Sequence, residues 1–111
     1  MKGPLNTLIL NKGETPVKIN YLQTKKAALI LRAINHDLRH KILELIDENE
    51  AVYITQVYIR LEIERPLASQ HLTILHNAGI VNAIQDGKTI YYTLDYAHIN
   101  KIMELVAKMV E

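Results

Sequence analysis

The chain has 111 residues, 49% of them hydrophobic and 23% charged, which suits a globular domain with a modest core and excludes a disordered chain. The absence of cysteine excludes disulfides, thiolate metal sites and cysteine nucleophiles. The net charge of +1 selects no partner by itself, and with no Phe or Trp the core must be Leu, Ile, Val and Ala with some of the six tyrosines.

Residues 1–20 contain Gly3, Pro4, Gly13 and Pro16 and are expected to form an irregular N-terminal arm, with room for a short strand at 5–10. The apolar run from Leu5 to Leu10 is broken by Asn6 and Thr7 and has no small-residue cleavage site, so a signal peptide is not expected. No apolar stretch approaches the ~20 residues needed to span a bilayer. The expected setting is the cytoplasm, away from membranes, with residues 21–111 as the folded domain.

From Tyr21 to Ile34 the residues favour helix, and Leu22, Leu29, Ile30, Leu31 and Ile34 make a broad apolar surface. Asn35 and Asp37 offer N-cap chemistry for a second helix, in which Leu38, Ile42, Leu45 and Ile46 recur at helical spacing up to Asn49. Thr55 can cap a third, short helix with Ile54, Val57, Tyr58 and Leu61 on one face. Pro66 suits the first turn of a fourth helix, over 66–78, and Gly79 suits a left-handed cap behind it. Asp86-Gly87, inside the turn "QDGK", lies between the apolar runs Ile80–Ile84 and Thr89–Leu94 and signals a hairpin. Asp95 then caps a last helix, to Glu111, with Ile99, Ile102, Met103, Val106 and Met109 or Val110 as its apolar stripe.

Charge is unevenly spread along this order. Lys18 to Lys41 carries six Lys or Arg against Asp37 alone, a local excess of +5, which is either a footprint for a polyanion or a solvated surface. Helix 66–78 is unusual in the opposite sense. At 100° per residue Pro66, Ser69, Gln70, Thr73 and Asn77 share one narrow face without a formal charge, while Ala68, Leu72 and Leu75 point away.

The element order is mainly α with a β-hairpin (α+β): about five helices and a two-stranded wing, the plan of a winged helix-turn-helix. In such a motif the second helix enters the major groove of double-stranded DNA, where short polar side chains permit close approach. Gln70 can pair bidentately with an adenine edge, and Ser69 and Thr73 can bond bases or phosphates. Arg65 can take a guanine edge or a phosphate, and Lys88 at the hairpin tip can reach the backbone. The bland alternative is that the neutral face is merely solvated.

From about Leu31 to Tyr96 the chain resembles the arsenical-resistance-type (ArsR) family of small dimeric bacterial repressors. "INHDLRHKILELI" is similar to the segment leading through that family's second helix, with Arg39 on its usual arginine, counted here among the DNA-binding residues. "LASQHLTILHNAGIV" resembles its recognition helix and "DGKTIYYTL" its wing. The resemblance implies DNA-binding repression by a homodimer joined through the first and last helices, with Leu22, Leu29, Ile99, Ile102, Met103, Val106 and Met109 as the dimerisation residues. Packing of these faces within one subunit is the alternative.

The chain also departs from the pattern. Glu62 stands where the family's tight turn usually has glycine, and Glu64 where it has a serine cap. Residues 52–92 consequently carry three bases and three acids, a weak electrostatic base for binding phosphates. His71 falls opposite the neutral face, which favours a packed role over base contact. The resemblance implies two metal sites in some relatives, and neither is expected here. Tyr53 and Thr55 stand at the cysteine pair of one; at the other Tyr96 replaces the first ligand, Met109 the distal histidine, and only His98 remains. Asp95 in place of Tyr96 would still leave two ligands per subunit. His36 and His40, with Asp37, lack a third firm ligand, so no metal and no cofactor are expected.

Catalysis is not expected either. Ser69 and His71 diverge by about 200° on a helix, and no glycine-rich phosphate loop is present. A winged-helix protein-interaction module that never binds DNA is the second functional class, supported by the acidic Glu62 and Glu64.

Overall fold

The computed structural model describes residues 7–111. The chain divides into two compact units, one reaching Arg32 and one from Ala33 to the C-terminus. In the first, β1 (Thr7–Leu10) and β2 (Val17–Asn20) pair antiparallel, with Leu8 opposite Ile19 and Leu10 opposite Val17. The described part of the expected irregular arm is thus a hairpin, while Leu5 and Asn6 of the expected strand lie outside the described residues. Asn20 caps α1 (Tyr21–Ile34), its Oδ1 accepting from the Gln23 amide at 3.0 Å. None of the described residues of this unit is buried.

The second unit holds α2 (Asp37–Asn49), β3 (Val52–Tyr53), α3 (Ile54–Arg60), α4 (Arg65–Asn77), β4 (Val81–Asp86), β5 (Thr89–Leu94) and α5 (Tyr96–Val110). Five helices and a two-stranded wing are therefore present among the described residues, as the element order predicts. Ile42, Ile46, Val57, Leu72, Leu75, Ile80 and Val81 are fully or almost fully buried and form the core that fixes α2, α3 and α4 to the sheet. Each such side chain contributes about 1.5–3 kcal/mol by leaving water.

Two caps differ from expectation. Helix α2 is capped by His36 rather than Asn35 or Asp37: its Nδ1 accepts from the amides of Leu38 and Arg39 at 3.1 and 3.4 Å. Helix α3 starts behind Tyr53 rather than Thr55, and Gln56 Oε1 accepts from the Tyr53 amide at 2.8 Å. Asp95 does cap α5, its Oδ1 accepting from the His98 amide at 3.0 Å.

Helices α3 and α4 end in the same way. After α4, Ile80 N–H reaches Leu75 O at 2.9 Å and Gly79 N–H reaches His76 O at 3.0 Å, with Gly79 at φ 76°. After α3, Ile63 N–H reaches Tyr58 O at 3.0 Å and Glu62 N–H reaches Ile59 O at 3.3 Å, with Glu62 at φ 54°. This paired pattern places its pivot residue in the left-handed region, where glycine is at ease and glutamate is strained.

The wing strands pair from Val81 opposite Leu94 to Asp86 opposite Thr89. The two-residue loop is Gly87-Lys88, one position later than an Asp-Gly turn requires. Only Gly87 of the two has a positive φ, 65°, the arrangement of a type II′ hairpin. The expectation did not include β3, which pairs Val52 with Tyr92 and Tyr53 with Tyr91, so the sheet runs β3-β5-β4.

Candidate nucleic-acid interface

Helix α4 is held by its inward residues. Ala68, His71, Leu72 and Leu75 are buried, and the spacing that points them inward turns Pro66, Ser69, Gln70, Thr73 and Asn77 to the outside, all of them exposed. Pro66 stands in the first turn, where its missing N–H costs no hydrogen bond. The uncharged stripe is an outer face of the folded unit, as its position on the helical wheel predicts.

Arg65 opens α4 and Lys88 occupies the wing tip; both are exposed. They line one cleft of about 370 Å³ together with Tyr53, Thr55 and Tyr92. Pairing of β3 with β5 brings Tyr53 and Thr55 beside the wing. From the sequence Tyr53 is linked only to a lost metal site and Thr55 to that site and a helix cap, because a two-residue strand has no periodicity from which its partner can be inferred.

Arg39 does not join this surface. It is 9% exposed, its Nε donates to His71 Nδ1 at 3.1 Å, and its Nη1 donates to Ala33 O at 3.0 Å. A guanidinium placed inside requires such partners, because an unpaired buried charge is costly. Its assignment as a DNA-binding residue is therefore corrected to an internal tie between the start of α2 and the inner face of α4.

His71, 7% exposed, has the packed role that its inward position predicts. Burial lowers its pKa below the usual 6.5, and the nearby Arg39 and His36 act in the same direction. The Arg39 bond fixes the neutral tautomer with the proton on Nε2. The His36 ring lies 4.9 Å from that of His71, tilted by 54°.

The residues expected at a dimer interface divide. Leu22 and Leu29 of α1 are about half exposed, as is Met103 of α5, and Met109 is 73% exposed. Ile99 and Val106 are half-buried. Ile102, 9% exposed, is part of the unit's own core, which corrects its assignment to an interface. Tyr96 donates its hydroxyl to Asp47 Oδ1 at 2.5 Å, tying the start of α5 to α2, and that bond raises the Tyr96 pKa.

Among the described residues no helix is long and apolar enough to cross a membrane. Nor does any group of three or more His, Cys, Asp or Glu among them stand together as a metal site.

Comparison with known proteins gives a consistent result. Residues 36–83 match the family model described as bacterial regulatory protein, arsR family. The chain is 31% identical over 84 residues to the transcriptional activator HlyU of Vibrio cholerae, covering 76% of this chain and 77% of that one. A solved structure of HlyU superposes with a TM-score of 0.60 at 28% identity, over 78% of this chain and 94% of that chain. The transcriptional repressor PagR of Bacillus anthracis is 26% identical over 89 residues, covering 80% and 89% of the two chains. The fold is also that of the homodimeric winged helix-turn-helix DNA-binding domain Mb0332 from Mycobacterium bovis. That domain has a TM-score of 0.63 at 22% identity, over 78% of this chain and 82% of that one.

Proposed function

This chain belongs to the arsR family of bacterial regulatory proteins, and from that premise we propose that it is a dimeric, sequence-specific DNA-binding repressor. Its relatives are transcriptional regulators rather than enzymes. In this reading α4 enters the major groove and the wing follows the neighbouring backbone. The carrying observation is the outward, uncharged stripe Ser69, Gln70, Thr73 and Asn77, whose short donors and acceptors match base edges at close range. The protein acts in the cytoplasm on double-stranded DNA.

A second copy is proposed to cover the exposed apolar residues of α1 and α5. The homodimeric state of the Mb0332 domain supports this. Two recognition helices would then address successive major grooves about 34 Å apart on a nearly palindromic site.

The positions that hold metal in some relatives are proposed to have no such role here. Thr55 shares its cleft with the cations Arg65 and Lys88, which would repel a metal ion. Tyr96 is bonded to Asp47, and the His98 ring lies so close to Gly79 that a Cβ there would meet its Nε2 at 3.0 Å.

Fluorescence anisotropy with DNA from upstream of the protein's own coding region, at two salt concentrations, tests the proposal. Specific binding with a steep salt dependence is the expected outcome; no binding at low salt favours a protein-interaction module instead. Glu62 and Glu64, both exposed beside the entrance of α4, are the observation favouring that second reading.

A further inference from the structure

We infer that the cleft between the starts of α3 and α4 and the wing tip is a seat for a single phosphate of the DNA backbone, held jointly by Arg65 and Lys88. This rests on the DNA-binding reading above and assigns Arg65 to the backbone rather than to a guanine edge.

Charge distinguishes this cleft from two others on the same unit. Arg65 and Lys88 contribute two positive charges and no carboxylate lines the wall, whereas the cleft between α2 and the end of α3 sets Lys41 and Arg60 against Glu44 and Glu48. The cleft at the start of α5 has no charged lining residue. Neither Arg65 nor Lys88 is paired with an acidic side chain among the described residues.

The remaining walls suit an oxyanion as well. Thr55 and Tyr92 supply hydroxyls with no hydrogen-bond partner among the described residues, whereas the Thr89 hydroxyl already donates to Asp86 O at 2.9 Å. Ile54 and Ile90 line the same cleft, and such apolar walls strengthen the field of the two cations. A backbone phosphate shares one negative charge over two non-bridging oxygens, so each cation can donate to one of them, with the hydroxyls as further donors. The two cations come from different elements, so one phosphate in the seat would fix the recognition helix and the wing in register along the strand.

The shared seat makes an unusual prediction for salt dependence. Each phosphate neutralised adds about 0.9 to the slope of log K against log salt, and two cations sharing one phosphate contribute that amount once. Binding of the full chain to the upstream duplex and to a random duplex is measured for wild type, Arg65→Gln, Lys88→Gln and the double variant. Both side chains are exposed, so the fold tolerates these changes. The expected result is a nearly unchanged slope for each single variant and a fall of about 0.9 for the double, with equal fold-losses on both duplexes. Slope losses that add between the single variants, or an Arg65→Gln loss confined to the upstream duplex, would overturn the seat.

A titration with inorganic phosphate, without DNA, provides the second readout. Amide resonances of Thr55, Arg65 and Lys88 should move saturably in wild type at constant ionic strength, and those of Thr55 and of positions 65 and 88 should stay still in the double variant. Linear, unsaturating shifts overturn the seat even where DNA binds. Saturation in a wild-type protein that binds no duplex overturns the DNA reading, and with it the backbone as source of the phosphate.

Discussion

Arg39 and His71, 32 residues apart, meet inside the protein, where the guanidinium Nε–H is donated to imidazole Nδ1 at 3.1 Å. The bond exists only while His71 is neutral. Its folded pKa lies below 6.5 because of burial, then Arg39, then His36, so the unfolded chain binds the proton more readily. The stability from this group is complete above about pH 6.5 and is lost as pH falls from there through the lowered folded value. Urea midpoints measured from pH 8 down to pH 5 should decline on the acid side. In His71→Asn, whose Oδ1 can accept from Arg39 without titrating, that part of the decline should shrink; an unchanged profile would show that other groups cause it.

Glu62 occupies the left-handed pivot after α3 that Gly79 occupies after α4. Replacing Glu62 with Gly should stabilise the protein by roughly 1 kcal/mol, seen as a higher urea midpoint with unchanged m. Glu62→Ala removes the charge but keeps the strain, and should not reproduce the gain. Gly79→Ala should be destabilising, since its Cβ would add a contact of 3.0 Å with His98 to the same backbone strain.

Gln70 should act on specificity rather than on general affinity. Gln70→Ala is expected to cost roughly 1–3 kcal/mol on the correct operator and much less on random DNA, relaxing one base preference. Competition binding against operators mutated one base pair at a time measures this. Equal losses on all sequences would remove Gln70 from base reading.

In α5, two residues seven positions apart should give different phenotypes. Met109→Glu is expected to yield folded monomers in sedimentation, because Met109 is 73% exposed within one chain. Ile102→Ala should instead lower stability by about 2–5 kcal/mol, because Ile102 is buried in its own subunit. A Met109→Glu protein that remains dimeric would exclude that end of α5 from the interface.

Elemental analysis of protein purified without chelator should find no stoichiometric zinc, and added zinc should leave operator affinity within twofold. Stoichiometric metal, or release of DNA by micromolar zinc, would overturn the proposal that the positions holding metal in some relatives hold none here.

Most of the second unit was legible because its signals are local. The apolar spacing of Ile42, Leu45 and Ile46, the start at Pro66, the stop at Gly79 and the cap at Asp95 each act within a few residues. What the sequence conceals are partners distant along the chain and a cap of an unexpected type. Arg39 counts as a DNA-binding residue only through the family resemblance, and the histidine that permits its burial lies on another helix, 32 residues away. Cap preferences point to Asn35 and Asp37 rather than His36, although neutral imidazole nitrogen is also an acceptor. The hairpin turn shifted by one residue because Lys88 has a negative φ, whereas an Asp-Gly turn needs Gly87 at its second central position. The N-terminal hairpin is hidden because Gly13 and Pro16, which suggest an irregular arm, lie between its two strands.

The order of the three-stranded sheet has a mechanical consequence. Because β5 lies between β4 and the short strand before α3, the wing is not a flap hinged at one end but a beam gripped partway along, at Tyr91 and Tyr92. That grip should damp its swing before any contact is made and leave less freedom to be lost on docking. A push on the tip is carried down β5 to the base of the helix pair, and wing and helices should therefore yield to load as one stiff piece.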